Sequence, residues 1–261
     1  MINSPADKIL DCATLITTQS SGKSFSATGF FFDFHIDDQR VPVLVSNRHV
    51  LENFDTMQIR LRVSSKNTWE EQLTSYYRVT ANINRADTEV ILHPQSDFDL
   101  AVLPLAPIHR YLEEKGEYLA NFSLSETAIL DEPDFQSLSA IENLVMPGCP
   151  QGLYDEANHL PILRRGITAS HPAHPFKGEY VFLSDIACFP GSSGSPIFLY
   201  DPFGYPDYKN NTYIHGASRI RLLGIQCRAY SNTITKEHLN LAVAQQARFL
   251  LGFKPILATK L

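Results

Sequence analysis

The chain has 261 residues, 44% of them hydrophobic and 19% charged, with a formal net charge of −6. That length suits one large domain or two small ones with an ample core, and the mild acidity without a Lys/Arg run leaves no electrostatic footprint for nucleic acid. No stretch approaches the roughly 18 consecutive apolar residues of a membrane-spanning helix.

The N-terminal segment MINSPADKILDCATLITT lacks a basic start, a long apolar region and a small-residue cleavage site, so no secretory leader and a cytoplasmic location are expected. Ala13–Gln19 and Ser26–His35 are rich in Thr, Ile and Phe and read as strands, with Asp37-Asp38-Gln39 as the turn before Val41–Ser46. Met57–Val63 alternates apolar and polar residues, the pattern of a half-buried strand. Tyr76–Ala81, Thr88–Leu92 and Asp99–Leu105 complete a set of short strands expected to form a small antiparallel barrel. From Ala106 the character changes: Ile108–Glu114 has helical spacing and ends near Gly116. The β pattern resumes at Ile141–Met146, Ile162–Thr168, Tyr180–Ser184, Pro196–Tyr200, Arg219–Cys227 and Leu239–Ala244. Asp201–Ser218, with DPFGYPDYKNN, reads as a turn-rich excursion, and Gln245–Leu251 as a short terminal helix ending at Gly252. The expected division is an N-terminal barrel over 1–105, a partly helical linker over 106–135 and a C-terminal barrel with its terminal helix over 136–261.

Three short segments carry chemistry. Gly191-Ser192-Ser193-Gly194-Ser195-Pro196 lies between two apolar runs. A serine that attacks a carbonyl needs a tight turn that lifts its hydroxyl clear of the backbone and aims N–H groups at the developing negative charge. Gly191 can adopt such a turn, and Gly194 leaves room for another chain to approach. A nucleophilic serine also needs a base and an acid that orients the base. His49 ends the apolar run VPVLVSNRHV, and Asp99 directly precedes the run LAVLPL. The order His49, Asp99, Ser193 fits one of the three known triad orders, that of chymotrypsin.

With SNRHVLEN, DFDLAVLPL, VMPGCPQGLYDE, LRRGITAS, SDIACFPGSSGSP, LLGIQ and LNLAVA in view, the chain resembles trypsin/chymotrypsin-like serine proteases of the bacterial type that includes the Deg (HtrA) proteases. The resemblance runs from about Ala27 to Ala244 and implies an all-β fold of two antiparallel chymotrypsin-like barrels with the active site between them. It implies His49 as general base, Asp99 as orienting acid, Ser193 as nucleophile, and the Gly191 and Ser193 N–H groups as the oxyanion hole. No cofactor, metal, membrane or nucleic acid is expected; the partners are a polypeptide substrate and a regulatory protein. The PDZ domain that often follows the protease domain in Deg-type proteases is expected to be absent.

Competing residues are weighed beside these. Asp97 lies two residues before Asp99, but the family acid immediately precedes the Leu-Ala-Val run. Ser192 and Ser195 flank Ser193, which alone has glycines at −2 and +1; Ser195 stands where the family carries glycine. Asp185, eight residues before the nucleophile, is read as structural. His171 and His174 have metal-like spacing but no further ligands nearby, so a surface loop is expected. The four cysteines form no CxxC pair and read as free buried thiols, with a Cys188–Cys227 bridge as the alternative. By the resemblance, Ala187 is the floor of the primary pocket and Cys227, Arg228 and Ala229 its wall. That pocket carries no acid, so small or medium apolar side chains are expected before the scissile bond. In digestive relatives an acidic residue just before the nucleophile pairs with a newly cut N-terminus; Ser192 holds that position here, so no such activation is expected. The rival readings are a protease-like binding module with a dormant site and an esterase on the same scaffold.

Overall fold

The computed structural model describes residues 4–208, 210–231 and 238–261; Met1–Asn3 of the segment read for a leader lie outside them, as does Lys209 in the Asp201–Ser218 excursion. The first sheet has nine strands: β1 (Ala13–Ser20), β2 (Lys23–Ile36), β3 (Gln39–Ser46), β4 (Thr56–Ser64), β5 (Tyr77–Asn84), β6 (Ile91–Leu92), β7 (Ala101–Pro104), β8 (Tyr118–Leu119) and β9 (Leu124–Ser125). Its main path runs β5-β4-β1-β2-β3-β7-β6, with β8 on β4 and β9 parallel to β2. Alternation sets the register: Met57, Ile59, Leu61 and Val63 of β4 are all buried. The sheet wraps around Ile16, Phe31, Leu44, Leu51, Met57, Ile59 and Leu103.

The second unit is a closed six-stranded barrel, β10 (Asn143–Gly148), β11 (Ile162–Thr168), β12 (Val181–Asp185), β17 (His238–Gln246), β16 (Arg219–Ser231) and β13 (Pro196–Asp201), paired in that order. Phe182, Leu144, Met146, Ile197 and Leu223 fill it. The Asp201–Ser218 excursion forms a two-stranded hairpin of β14 (Gly204–Asp207) and β15 (Thr212–His215).

The run GFFFDF in β2 explains how the units join. Phe30, Phe32 and Phe34 point into a core shared with Val145, Phe198, Leu222 and Ile225 of the second unit, while Phe31 points into the core of the first. A strand with apolar residues on both faces is a wall between two cores.

Two readings need correction. Thr88–Leu92 is a strand only at Ile91–Leu92, preceded by a 3₁₀ turn at Arg85–Asp87. The terminal helix does not start at Gln245, because β17 continues to Gln246; a 3₁₀ segment, Ala247–Phe253, follows, and Pro255 sits in the first turn of a helix over Lys254–Ala258. The segment 106–135 contains the helices Ala106–Glu113 and Glu132–Gln136, and also β8 and β9, which pair back onto the first sheet. Among the described residues, no helix is long and apolar enough to cross a membrane.

Several short helices escaped the sequence reading, among them those at Pro5–Asp11, Arg48–Leu51 and Trp69–Gln72. In α1 (Pro5–Asp11) a capping box joins Ser4 and Asp7, and Pro5 occupies the first turn. At its end Asp11 pairs with Arg62 of β4, with side chains 3% and 4% exposed, and accepts from Trp69 Nε1 at 2.5 Å. Arg62 also lies over the Tyr76 ring at 4.7 Å. Asp11→Ala leaves the Arg62 cation buried without its counter-ion, so the stability read from urea unfolding should fall by about 3–5 kcal/mol.

Candidate functional site

β3 ends at Ser46, and Asn47 begins the one-turn helix α2 (Arg48–Leu51) in an extended conformation. Val50 and Leu51 are buried, which fixes the turn and leaves the His49 side chain half exposed on its outer side. Asp99 Oδ2 accepts from His49 Nδ1 at 2.8 Å, and Oδ1 accepts from the His49 backbone N–H at 3.1 Å. A carboxylate only accepts, so this contact assigns the proton to Nδ1 and leaves Nε2 with a free lone pair. Asp97 is exposed and takes no part in the contact.

The serine stands on a different turn. Ser192 N–H donates to Phe189 O at 3.0 Å, with Pro190 second and Gly191 third at φ 90°, which fits a type II turn. A Cβ at Gly191 would lie 2.6 Å from Cys149 O. Pro190 O accepts from Gln151 N–H at 2.5 Å. In a trans peptide the N–H points opposite to its C=O, so the Gly191 N–H faces away from Gln151.

Thr28 of β2 holds the turn from below. Its Oγ1 donates to Gly191 O at 2.9 Å and accepts from Cys149 N–H at 2.9 Å, and its own N–H donates to Ser193 O at 2.8 Å. Gly194, at φ 85°, lets the strands meet: a Cβ there would be 2.0 Å from Thr28 O and 2.2 Å from Ser46 Oγ. Ser192 and Ser195 are fully buried, whereas Ser193 is half-buried. Ser193 Oγ donates to Cys227 O at 3.2 Å, and no hydrogen bond among the described residues joins it to His49.

Asn47, fully buried, bridges the two halves: its Nδ2 donates to Asp99 O at 2.9 Å and to Cys227 Sγ at 3.5 Å. The Cys227 side chain turns inward to Asn47, and its carbonyl faces Ser193. Burial, and then the charge of Asp99, push its thiol up to about 12, so it stays protonated. All four cysteines are free, with Cys188 half-buried and the others buried, so Cys188 and Cys227 form no bridge. Arg228 is exposed and pairs with Glu179 at 3.0 Å beside a cavity of about 800 Å³, which Phe98, Asp99, Tyr180 and Cys227 also line. Ala187 does not line that cavity, and Ala229 lines a neighbouring hollow with Phe176 and Tyr230. Asp185 is exposed at the end of β12, paired with Ile167. The His171 and His174 rings pack edge to face at 4.2 Å, and no cluster of three metal-ligating side chains occurs among the described residues.

Sequence reasoning passed over Thr28, Asn47 and Arg164, whose Nη1 donates to Ala187 O at 2.7 Å and Ser192 Oγ at 2.8 Å. The signal for Arg164 was its inward position in the alternation of β11, and for Asn47 its place before a one-turn helix. Thr28 offered none, because its partners lie far along the chain.

A family model described as a trypsin-like peptidase domain matches residues 27–201. No curated protein matches the chain. Among solved structures, the HtrA-type protease AlgW with tripeptide overlays 94% of this chain and 60% of its own, at TM-score 0.53 and 14% identity. This chain thus spans three-fifths of that relative. The Rv3671c protease from M. tuberculosis in its active form overlays 96% of this chain and 83% of its own, at TM-score 0.51 and 13% identity. Tobacco etch virus protease complexed with product overlays 95% and 78%, at TM-score 0.50 and 13% identity. Identities this low speak for the fold alone.

Thr28→Val keeps the shape of the side chain but strips partners from the buried Cys149 N–H and Gly191 O. Urea unfolding should show a loss of about 1–3 kcal/mol, the cost of leaving buried polar groups unpaired.

Proposed function

The chain belongs to the trypsin-like peptidase domain family, and from that premise we propose that it is a serine endopeptidase. The observation that carries this reading is the two-point grip of Asp99 on His49 beside a serine held on a positive-φ turn. In the proposed reaction Ser193 Oγ attacks the scissile carbonyl carbon while its proton passes to His49 Nε2. Asp99 keeps the imidazole in the correct tautomer and stabilises the imidazolium. The carbonyl oxygen takes the electron pair and accepts hydrogen bonds from the Gly191 and Ser193 N–H groups. His49 then gives the proton to the leaving amine as the C–N bond breaks; water, deprotonated by His49, attacks the acyl carbon, and the same proton passes to Ser193 Oγ as the C–O bond breaks and the acid leaves. To begin, Ser193 turns its hydroxyl from Cys227 O to His49, a rotation between staggered wells.

That resting contact is also the one observation that favours a dormant binding module. A fluorophosphonate probe separates the readings. Labelling of the native protein that disappears in Ser193→Ala supports the enzyme; no labelling and no peptide hydrolysis support the module, and ester hydrolysis alone supports an esterase. Asp99→Asn should lower kcat by roughly 10⁴-fold, whereas Asp97→Asn should keep it. The reverse pattern overturns the acid assignment. Because the three residues act as a unit, a double variant should be little worse than the worst single one.

For substrate choice we hold to a small or medium apolar residue before the scissile bond, with Ala187 as the pocket floor. Arg164 donates to the Ala187 carbonyl, which sets a cation beside that position and disfavours a basic side chain there. Differences between apolar side chains in such a pocket are worth about 1–3 kcal/mol, so a peptide-library profile should grade rather than switch. Cleavage mainly after Arg or Lys would show the floor to be elsewhere.

A further inference from the structure

Alternation in β11 places Ile162, Arg164, Gly166 and Thr168 on its inward face, while Leu163, Arg165 and Ile167 are exposed. Three of the inward residues are small, neutral or apolar, and the fourth is a cation. Its guanidinium enters beneath the turn that carries Ser193. Nη1 donates to Ala187 O at 2.7 Å and to Ser192 Oγ at 2.8 Å, and the same Ser192 Oγ accepts from Phe189 N–H at 3.3 Å. One nitrogen thus ties the start of the segment 187–192 to its end. Room has been left for it: a Cβ at Gly148 would lie 2.8 Å from Arg164 Nη2.

Among the described residues the cation has no counter-ion. No ion pair of Arg164 occurs among the described residues, and its Nε and Nη2 are buried without a hydrogen-bond partner. Burial pushes its guanidinium below the ordinary value, with the nearby Cys188 and Cys149 thiols acting the other way. An arginine does not shed its proton to escape such a site. Burying a charge without a partner is expensive, and packing alone would be served better by an apolar side chain of similar volume. Arginine contributes two things an apolar residue cannot: charge-assisted donors and a planar fork that fixes their direction.

We propose that Arg164 is the positioning residue of the nucleophile turn, an internal cation that holds Ser192 and Ala187 so that the Gly191 and Ser193 N–H groups converge on the substrate oxygen. The sequence already removes the alternative device, because Ser192 has no charge to offer an inserted N-terminus. A neutral hydroxyl is nevertheless a good acceptor for a guanidinium, and its neighbours in the chain are the two residues whose N–H groups matter. The turn is therefore set by a side chain of the barrel wall and needs no processing event. Arg164 touches neither substrate nor the reacting atoms, so its effect passes through Ser192 and Ala187.

This proposal rests on the serine endopeptidase reading, and the experiment keeps the two apart. Native protein, Arg164→Met, Arg164→Lys and Ser192→Ala are compared for peptide hydrolysis, for affinity toward a peptide boronic acid whose boronate oxygen occupies the oxyanion position, and for thermal melting. Arg164→Met should lower kcat by roughly 10- to 100-fold and weaken the boronic acid by a similar factor, with KM changed less than about threefold. Arg164→Lys, which keeps the charge and one donor, should recover most of that loss. Ser192→Ala should lower kcat by about 3- to 10-fold, and the double variant with Arg164→Met should be no worse than Arg164→Met alone, since both cut one contact. A native-like kcat and boronic acid affinity in Arg164→Met overturns the proposal whatever happens to its melting temperature. Should that variant fail to fold, a native-like kcat in Ser192→Ala overturns it instead. If native protein neither hydrolyses peptides nor takes the fluorophosphonate, the endopeptidase reading fails and this one falls with it.

Discussion

Thr28 is the joint on which the site depends. One hydroxyl in a strand of the first sheet satisfies a carbonyl of the turn before Ser193 and the N–H of Cys149 just past β10, and the residue's own N–H donates to the carbonyl of Ser193. These groups are buried and cannot turn to water, so docking of the two units and the shape of the turn are one event. The left-handed glycines follow from the same constraint. Gly194 lies so close to Thr28 O and Ser46 Oγ that no side chain fits, and Gly191 is similarly pressed against Cys149 O. The turn is thus moulded by its surroundings as much as by its own sequence.

His49 and Asp99 are held in the complementary way. His49 lies in the one-turn helix after β3 and Asp99 just before β7, each anchored by an adjacent buried residue, Val50 on one side and Leu100 on the other. Rigid flanks allow a half-exposed histidine to keep a defined orientation, and Asn47 adds a line of contact from this pair to Cys227 in the second barrel. Position is imposed from beneath while the reactive atoms stay open to solvent.

Much of this was readable in advance, for identifiable reasons. The strand Ile162–Thr168 was drawn with its observed limits because its alternation is clear and its ends are marked by polarity. His49, Asp99 and Ser193 stand out in the sequence at the edges of apolar runs, with the family resemblance choosing Asp99 over Asp97, and the structure brings His49 and Asp99 into contact. What escaped depends on distance or on exceptions to the patterns. Thr28 looks like any threonine in a β-rich run until a residue 163 positions away is laid on it. Arg164 was visible as a strand residue, but its direction had meaning only once the nucleophile turn covered it. For Cys227 an alignment fixes the backbone position and does not show which way the thiol turns, which here is inward to Asn47. The terminal helix was drawn early because β17 runs on through Gln245 and Gln246, polar residues that the barrel buries and pairs.

The span of these contacts bears on how the protein is made. Thr28 meets Gly191 across 163 positions, and Asn47 meets Cys227 across 180. Chains fold from the N-terminus as they emerge during synthesis, and pairings this remote form late. A nascent chain that already displays His49 and Asp99 still lacks the turn that carries Ser193, and a chain cut short before Cys227 lacks the carbonyl on which Ser193 rests and the thiol that meets Asn47. The ribosome must release nearly the whole polypeptide before these parts assemble.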